Sequence, residues 1–492
     1  MTKTKETINH RGRRITRFAA RSQFLSRPYN PHYANDNTAL RPEVWANESI
    51  RLLYEMMQWG GVVHRDFDPE IAKFGEVVHT NFPGTLKAKR KQNDLDTLET
   101  QDVTATDLEV RLNQRIYVSF LLGDGDRSKS FKNLFEYHMV PQMEGQTRLM
   151  DRILAGQVYQ FLDNQAGGLG QMSASTASDY MLDARQEMND NFVPDEGRWL
   201  GLASPTETAM QKVDLFKSAE RVGDGGRALR NALLGRKHGF NTFLSLNTPS
   251  VRGATKTAAT TTTATAAAGD LIINATAVTN LNPGQYYTVV GDYTPLRVAS
   301  VNTLAVTNTR PLLRAVGNGA AIQPYALGAI NQTGAIAAGD TTAGVANGYP
   351  SGWMKHMAVD GTGVPKVGQL VAFRAAGSTV HAAEYCIVDV DGATILLDRP
   401  LENTVADGDV VCYGPDGDYN FFLQRAALTL VNRPMELPPT GAGARSARGT
   451  YNHMSLRTVI TYDGATQATR VTVDCLLGVK KLQTARGGVL LG

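Results

Sequence analysis

A short repeated pattern constrains the fold of this chain more than any other sequence feature. Residues 310–322 and 399–411 both begin with Arg-Pro-Leu, and both carry valine and a later glycine in the same register. Asn318 and Asp407 occupy equivalent positions immediately before that glycine. Asn-Gly and Asp-Gly supply the positive φ angles that tight hairpin turns require. The repeat therefore predicts two related units built from β-hairpins.

The match also extends upstream, where Gly284-Gln285 corresponds to Gly368-Gln369. We predict two copies of a small all-β unit, at about 270–325 and 365–415. Residues 251–350 hold five basic and three acidic side chains, whereas 20% of the whole chain is charged. Such a break in composition indicates a change of module.

The β-rich segment interrupts a body of different character. We place the insertion at 253–420, between a first body part at 41–252 and a second at 421–492. The body is long enough for two α+β lobes. Because the chain leaves and re-enters the body at the insertion, we expect the two ends of the insertion to lie close together.

In the first body part, the apolar residues after Pro42 follow helical spacing, and later ones follow the two-residue repeat of a strand. Apolar residues alternate between Leu108 and Phe120, which is typical of strands. With Phe82 to Arg90 as the partner strand, they predict a long projecting hairpin at about 76–120 with an exposed polar tip.

The longest helical signal in the chain follows the hairpin. An apolar stripe predicts a helix at about 128–164, interrupted or bent near Pro141. Helices at 176–191, 205–217 and 225–236 and a strand at 240–245 should then form a compact lobe at about 170–250.

The second body part begins with Phe421 to Leu430, whose pattern we interpret as helical core. The segments Leu456 to Ile460 and Ala468 to Leu477 are interpreted as strands.

Residues 1–40 form a basic N-terminal arm, with eight Lys and Arg against Glu6 and Asp36. This composition is typical of a segment that is extended or disordered when alone. The arm could contact nucleic acid or an acidic partner, or it could be a solvated tail that only aids solubility. The candidate contact residues are Arg11, Arg13, Arg14, Arg17 and Arg21.

No catalytic, cofactor or metal site is predicted. His64-Arg65-Asp66 copies a kinase tripeptide without the accompanying glycine-rich loop, and the nine histidines lack metal-ligand spacing. The three cysteines cannot form a disulfide framework, and Cys475 is interpreted as a small buried apolar residue. We find neither an apolar run long enough to cross a membrane nor a secretory signal.

The order of these parts resembles the major capsid proteins of tailed bacteriophages, which have the Hong Kong 97-type fold. Several stretches look similar to members with an inserted β domain, of the Salmonella short-tailed podophage coat type. They are 40–45, 87–90, 126–131, 239–247, 421–434, 470–474 and 478–480. The resemblance covers about 280 residues, most of 40–250 and 420–492.

The resemblance implies an α+β fold with an N-terminal arm, an extended hairpin loop, a long spine helix, peripheral and axial domains, and an all-β insertion. It implies a non-enzymatic shell subunit that assembles with itself into hexamers and pentamers. Its partners would be scaffolding and portal proteins, packaged double-stranded DNA, and a decoration protein. The chain would reside in the virion, and in the host cytoplasm during assembly.

In this family the hairpin contacts neighbouring subunits, so the candidate intersubunit residues are Lys87, Lys89, Arg90 and Lys91. Some members crosslink through a hairpin lysine, but no crosslink is assigned here. The main alternative is a virion or surface binding protein whose tandem β units recognise glycan or a receptor. A hydrolase with an unrecognised pair of acidic residues is a third class.

Overall fold

The computed structural model describes residues 7–8, 14–15, 42–65, 77–83, 88–91, 97–98, 100, 102, 105–123, 138–217, 234–330, 357–358, 365–377, 379–391, 394–433, 435–439, 443–451 and 454–492. Helices and largely antiparallel sheets occur together in these ranges, so the predicted α+β class is confirmed.

The α-helices of the described ranges lie before the insertion. They are α1 (Pro42–Met56), α2 (Val140–Gly156), α3 (Ala177–Asp190), α4 (Ser204–Gln211) and α5 (Asp214–Lys217).

Helix α2 corresponds to the predicted spine and continues as a 3-10 turn, Gln157–Phe161. It begins beside Pro141, because a proline in the first turn removes no intrahelical hydrogen bond. The predicted segment 128–137 and most of the predicted helix 225–236 lie outside the described residues.

The strands fall into six sheets within the described ranges. Before the insertion they are β1 (Thr7–Ile8), β2 (Arg14–Ile15), β3 (Val77–Pro83), β4 (Ala105–Arg111), β5 (Gln114–Gly123), β6 (Gln165–Gly167), β7 (Arg198–Leu202), β8 (Arg236–Lys237), β9 (Phe240–Leu244) and β10 (Ser250–Val251). In the insertion they are β11 (Thr260–Thr261), β12 (Ile272–Asn274), β13 (Tyr286–Val289), β14 (Leu296–Asn302), β15 (Ala305–Asn308), β16 (Ala321–Pro324), β17 (Leu327–Ala329), β18 (Met357–Ala358), β19 (Leu370–Arg374), β20 (Val380–Asp391), β21 (Thr394–Leu397) and β22 (Val410–Tyr413). After it they are β23 (Gly417–Gln424), β24 (Leu428–Arg433), β25 (Ala444–Tyr451), β26 (Met454–Asp463), β27 (Ala468–Lys481) and β28 (Gly487–Leu491).

One lobe is built on the peripheral sheet, which consists of β5, β24, β25, β26 and β27. Helices α1 and α2 cover one of its faces. Alternate strand residues such as Ile116, Val471 and Val473 are buried there in the main apolar core. Gly449 allows α1 to approach β25, because an added Cβ would lie 2.5 Å from the carbonyl oxygen of Ala46.

The hairpin is shorter than predicted. Strand β3 pairs with β4, from Val77 opposite Arg111 to Pro83 opposite Ala105. Strand β5 was expected in the hairpin as well, but it pairs with β27 along its whole length. The alternation of β5 is that of a strand with one buried face, and this pattern does not identify the partner strand.

The other lobe is built on the axial sheet, in the order β6-β28-β23-β7-β9-β8. The helical interpretation of Phe421 to Leu430 is wrong, because this segment forms β23, a 3-10 turn and β24. Phe421 and Leu423 point into the main core, whereas Phe422 points into the core beneath α3. A strand between two cores is apolar on both sides, so it lacks the alternation that would have identified it.

The insertion contains two six-stranded sheets with the same topology. Their orders are β11-β16-β13-β14-β15-β12 and β17-β22-β19-β20-β21-β18, and each strand of the first has a counterpart six strands later. Ser250 pairs with Asp418, so the two ends of the insertion lie side by side, which confirms the expectation for a chain that leaves and re-enters the body there.

The repeated residues have the same roles in both sheets. Gly284 and Gly368 adopt φ angles of 83° and 85°. The next residue, Gln285 or Gln369, accepts a hydrogen bond from the backbone N–H three residues earlier. Its amide nitrogen also donates to a carbonyl, that of Tyr325 at 2.6 Å or of Gly414 at 3.0 Å.

Candidate assembly surfaces

The predicted contact residues of the arm and hairpin are only partly described. Arg14 lies in β2, opposite Ile8 of β1. Lys89, Arg90 and Lys91 are exposed. Arg11, Arg13, Arg17, Arg21 and Lys87 lie outside the described residues.

The base of the hairpin is fixed to the peripheral sheet. Val78 and Val110 of the hairpin form a small buried cluster with Leu112 and Val431. The ammonium group of Lys480 donates to the carbonyl oxygen of Glu109 at 2.7 Å. Beyond this base, Leu98 is 77% exposed. The base therefore sets the direction of the hairpin, whereas Leu98 near its end contributes little to the core of its own subunit.

The peripheral sheet also has an arginine-rich face, which sequence reasoning missed. We call it the outer face, because it lies opposite α1 and α2. Directly paired residues project on the same side of an antiparallel sheet. The pairing therefore puts five arginines on this face: Arg115, Arg433, Arg448, Arg457 and Arg470.

Asp474 lies at the centre of the outer face and is fully buried by its neighbours. Its carboxylate accepts hydrogen bonds from Arg115 Nη2 at 2.8 Å and from Arg457 Nε at 2.9 Å. The Arg457 fork also donates a second, shorter bond to the same carboxylate. The Asp474 carboxylate thus fixes the positions of two guanidinium groups on the outer face of the sheet.

A second polar cluster joins the two β units to the spine. Arg310 donates to Glu384 at 3.0 Å through Nη1 and to Asp163 at 2.9 Å through Nε. Tyr286 donates to the same Glu384 carboxylate at 2.7 Å. Burial opposes ionisation of Glu384, but the charge and hydrogen bonds of Arg310 outweigh it and lower the pKa of this carboxyl.

The second β unit packs directly on the spine. Gln157 donates to the buried carboxylate of Asp398 at 2.9 Å. Burial raises the pKa of Asp398 to about 6, although the neighbouring Arg399 acts in the opposite direction. At Gly156 an added Cβ would lie 2.7 Å from Cβ of Cys386, so a larger residue would separate the two elements.

Arg310 and Arg399 are the equivalent arginines of the sequence repeat, but Arg310 bonds to Glu384 of the other unit, whereas Arg399 bonds within its own unit. Arg399 donates to Asp398 at 3.0 Å and to the carbonyl oxygen of Glu384 at 2.6 Å. The repeated Arg-Pro-Leu pattern identified these two arginines as equivalent, although the sequence did not identify the acidic residues that bond to them.

The described residues offer little for covalent chemistry. The three cysteines are buried and unpaired, and burial raises the pKa of the Cys412 thiol to about 11 and that of the Cys475 thiol to about 12. A thiol of this kind is protonated near neutral pH and is a weak nucleophile. The interpretation of Cys475 as a buried apolar residue is confirmed.

A recess of about 230 Å³ lies between α2 and the insertion. It is lined by Arg152, by the loop 246–250 and by residues 367–368 and 386–388, which include no carboxylate and no histidine. It therefore lacks the usual groups for acid–base catalysis.

In the described ranges, no group of three or more His, Cys, Asp or Glu side chains is arranged to hold a metal ion. Over the same ranges, no helix has the length and apolarity needed to cross a membrane.

Several solved structures from phages are similar to this chain. A chain of Mycobacterium phage Che8 is 11% identical, with a TM-score of 0.42 over 88% of this chain and 90% of that one. The capsid structure of cyanophage P-SCSP1u gives 8% identity and a TM-score of 0.40 over 85% and 83% of the two chains. The mature capsid of bacteriophage PhiM1 gives 10% identity and a TM-score of 0.39 over 88% and 86%.

The chain is similar to phage capsid structures. The likeness is one of coarse architecture. No protein-family model matches the sequence, and no curated protein matches it either.

Proposed function

We propose that this chain is the major capsid protein of a tailed bacteriophage and self-assembles into the icosahedral shell that encloses the genome. The hairpin gives the main support for this proposal. Its base is fixed to the peripheral sheet by Val78 and Val110, whereas its end carries exposed Lys89, Arg90, Lys91 and Leu98. Groups held away from their own core are suited to contact with another subunit.

The site residues predicted from the sequence belong to this proposal. Lys87, Lys89, Arg90 and Lys91 would contact the neighbouring subunit in hexamers and pentamers. Arg11, Arg13, Arg14, Arg17 and Arg21 would face the interior and contact packaged double-stranded DNA without sequence preference, because phosphate contacts by arginine carry no sequence information.

The insertion would brace the subunit rather than bind glycan. Gln157, Tyr159 and Asp163 of the spine region all bond to residues of the insertion, and Arg310 joins its two units. Each unit therefore uses a polar surface to dock within its own chain. We accordingly favour the capsid role over receptor recognition by the tandem units.

Other parts of the proposal concern the assembly process. Scaffolding and portal proteins would be assembly partners, and a decoration protein would bind the finished shell. The subunit would act in the host cytoplasm during assembly and then in the virion.

Deletion of residues 91–100 tests the proposal. We expect the variant to remain folded, because Lys91, Thr97, Leu98 and Thr100 of this segment are exposed, and to lose assembly into shells. Circular dichroism reports folding, and sedimentation velocity separates free subunits from shells. A shell yield equal to that of the full chain would contradict the role given to the hairpin.

A further inference from the structure

Three parts of the chain meet at the recess between α2 and the insertion. Its walls come from Arg152 of α2, from the loop 246–250 and from residues 367–368 and 386–388. Leu246 of that loop is 82% exposed, so the recess opens to solvent. Its volume of about 230 Å³ is larger than a single water needs. The recess therefore has room for a small molecule or ion.

One hydroxyl group of the lining has no partner among the described residues. Thr248 is 4% exposed, and its hydroxyl oxygen Oγ1 is buried without a hydrogen bond to any of them. The other hydroxyl of the lining, that of Ser250, donates to Asp418 at 2.6 Å. A buried hydroxyl group that stays unpaired is unfavourable, and this one is free to donate to a ligand.

The guanidinium group of Arg152 also has donors to spare. Its five N–H groups make one hydrogen bond within the described structure, from Nη1 to the carbonyl oxygen of Val388 at 3.3 Å. Burial lowers the pKa of Arg152, because it disfavours the charged form. Asp389 opposes this effect, and the like charge of Arg148 adds to it. An anion beside Arg152 would stabilise its charged form.

The lining supplies hydrogen-bond donors and positive charge rather than negative charge. Among its residues are one cation, Arg152, and no carboxylate, since Asp389 acts on Arg152 from outside the lining. Two of its carbonyl oxygens already accept hydrogen bonds, that of Val388 from Arg152 and that of Gly368 from Tyr159. A tetrahedral oxyanion supplies several acceptors and a negative charge, and arginine binds phosphate through paired N–H groups.

We propose that this recess binds a compact tetrahedral oxyanion such as inorganic phosphate. The guanidinium group of Arg152 would donate to two of its oxygens, and the hydroxyl group of Thr248 would donate to a third. The ligand would touch α2, the loop 246–250 and β20 at once, and so would hold the insertion on the spine. This inference goes beyond the proposed function and does not depend on shell assembly.

Titration of the full chain with inorganic phosphate tests the site. Isothermal titration calorimetry at pH 7, at constant ionic strength set with chloride, should show saturable binding to one site per chain. Arg152→Met should weaken the affinity for phosphate by about tenfold or more, because a charge-assisted hydrogen bond is lost. Phosphate should also raise the unfolding temperature of the natural chain in proportion to its binding.

Thr248→Val separates the binding role of the hydroxyl group from a structural role. Valine has nearly the same shape, so without phosphate the variant should unfold at the same temperature as the natural chain or at a higher one. Its affinity for phosphate should fall by about threefold, as expected for a neutral hydrogen bond. Thr257→Val is the matched control and should leave the affinity unchanged. Oγ1 of Thr257 is also buried and unpaired among the described residues, but Thr257 lies outside the recess.

Arg148→Met controls for the loss of a positive charge. Arg148 lies one turn before Arg152 on α2, is exposed, and pairs with Glu144 at 3.1 Å. Because salt screens an exposed charge, the affinity for phosphate should stay within about twofold of that of the natural chain.

Two outcomes would overturn the inference. One is a natural chain that shows no saturable binding of phosphate. The other is a Thr248→Val chain that binds phosphate as tightly as the natural chain, and this comparison decides the matter even if Arg152→Met fails to fold. Shell formation is scored separately by electron microscopy, so failure of this site and failure of the proposed function are distinguishable.

Discussion

At the scale of single residues, the stability of the insertion depends on the buried ion pair between Arg310 and Glu384. The two side chains are 16% and 5% exposed, so solvent cannot replace either partner. Arg310→Met would leave the Glu384 carboxylate without the cation that is hydrogen-bonded to it. We expect a loss of about 3–5 kcal/mol in the free energy of unfolding, measured by urea denaturation.

Glu384→Gln removes the charge of the other partner in this ion pair. With the carboxylate already neutral, adding Arg310→Met should cost less than it does in the natural chain, and a double-mutant cycle measures the difference. Strictly additive losses would show that the pair is not coupled.

The pH dependence of stability tests the buried carboxyl of Asp151 in α2. It accepts backbone hydrogen bonds from Gln58 at 3.0 Å and Trp59 at 3.1 Å, but burial outweighs them and raises its pKa from 3.8 to about 6. A raised pKa means that the folded chain binds the proton more tightly than the unfolded chain does. Lowering the pH from 7 to 5 should therefore stabilise the natural chain relative to Asp151→Asn.

The measurement is the free energy of unfolding of both chains at several pH values. We expect their difference to change by on the order of 1–2 kcal/mol between pH 7 and pH 5, in favour of the natural chain. A difference that is constant, or that moves the other way, would contradict the assigned pKa.

At the scale of elements, the sequence predicted those segments whose periodicity is set by one buried face. Strands β26 and β27 and helix α3 were predicted within a few residues of their observed bounds. The failures have a common cause. Strand β5 was given the wrong partner because alternation does not identify the partner strand, and β23 was given the wrong type because a continuous apolar run fits a buried helix as well as a buried strand.

The attachment of the hairpin base to the peripheral sheet can be tested with a glycine substitution. At Gly478 of β27 an added Cβ would lie 2.6 Å from the carbonyl oxygen of Arg111 in β4. Gly478→Ala should push the hairpin base away from the sheet, increasing hydrogen exchange in β4 and lowering the shell yield. Gly464→Ala is the control, since no atom lies within 4 Å of the added Cβ.

Equal exchange in β4 for these two alanine variants would contradict this account. The same comparison separates the attachment of the hairpin from the general stability of the sheet, because both glycines lie in the same lobe.

At the scale of the whole molecule, the insertion is part of the subunit core rather than an appendage. Six of its residues belong to the main buried cluster: Tyr286, Leu370, Ala372, Cys386, Val388 and Cys412. Replacing residues 253–416 with a short linker is geometrically possible, because Ser250 and Asp418 are paired. We expect that variant to unfold at a lower temperature or to aggregate, since the spine would expose apolar surface.

Calorimetry on the linker variant tests this point. A variant that is soluble and as stable as the full chain would show that the insertion is dispensable to the fold.

Of the two candidate surfaces, the sequence predicted the basic residues of the hairpin but not the outer face of the peripheral sheet. Lys89, Arg90 and Lys91 are adjacent in sequence, so a charge count found them. The outer face combines Arg115, Arg457 and Asp474, which are separated by as many as 359 residues, and only the pairing of β5 with β27 brings them together. A surface assembled from distant strands has no local sequence signal.

The most direct test of the central claim is negative-stain electron microscopy of the full chain, expressed alone and with a scaffolding partner. The account predicts closed shells or ring-shaped capsomers of uniform size. Monodisperse monomers under both conditions would contradict it.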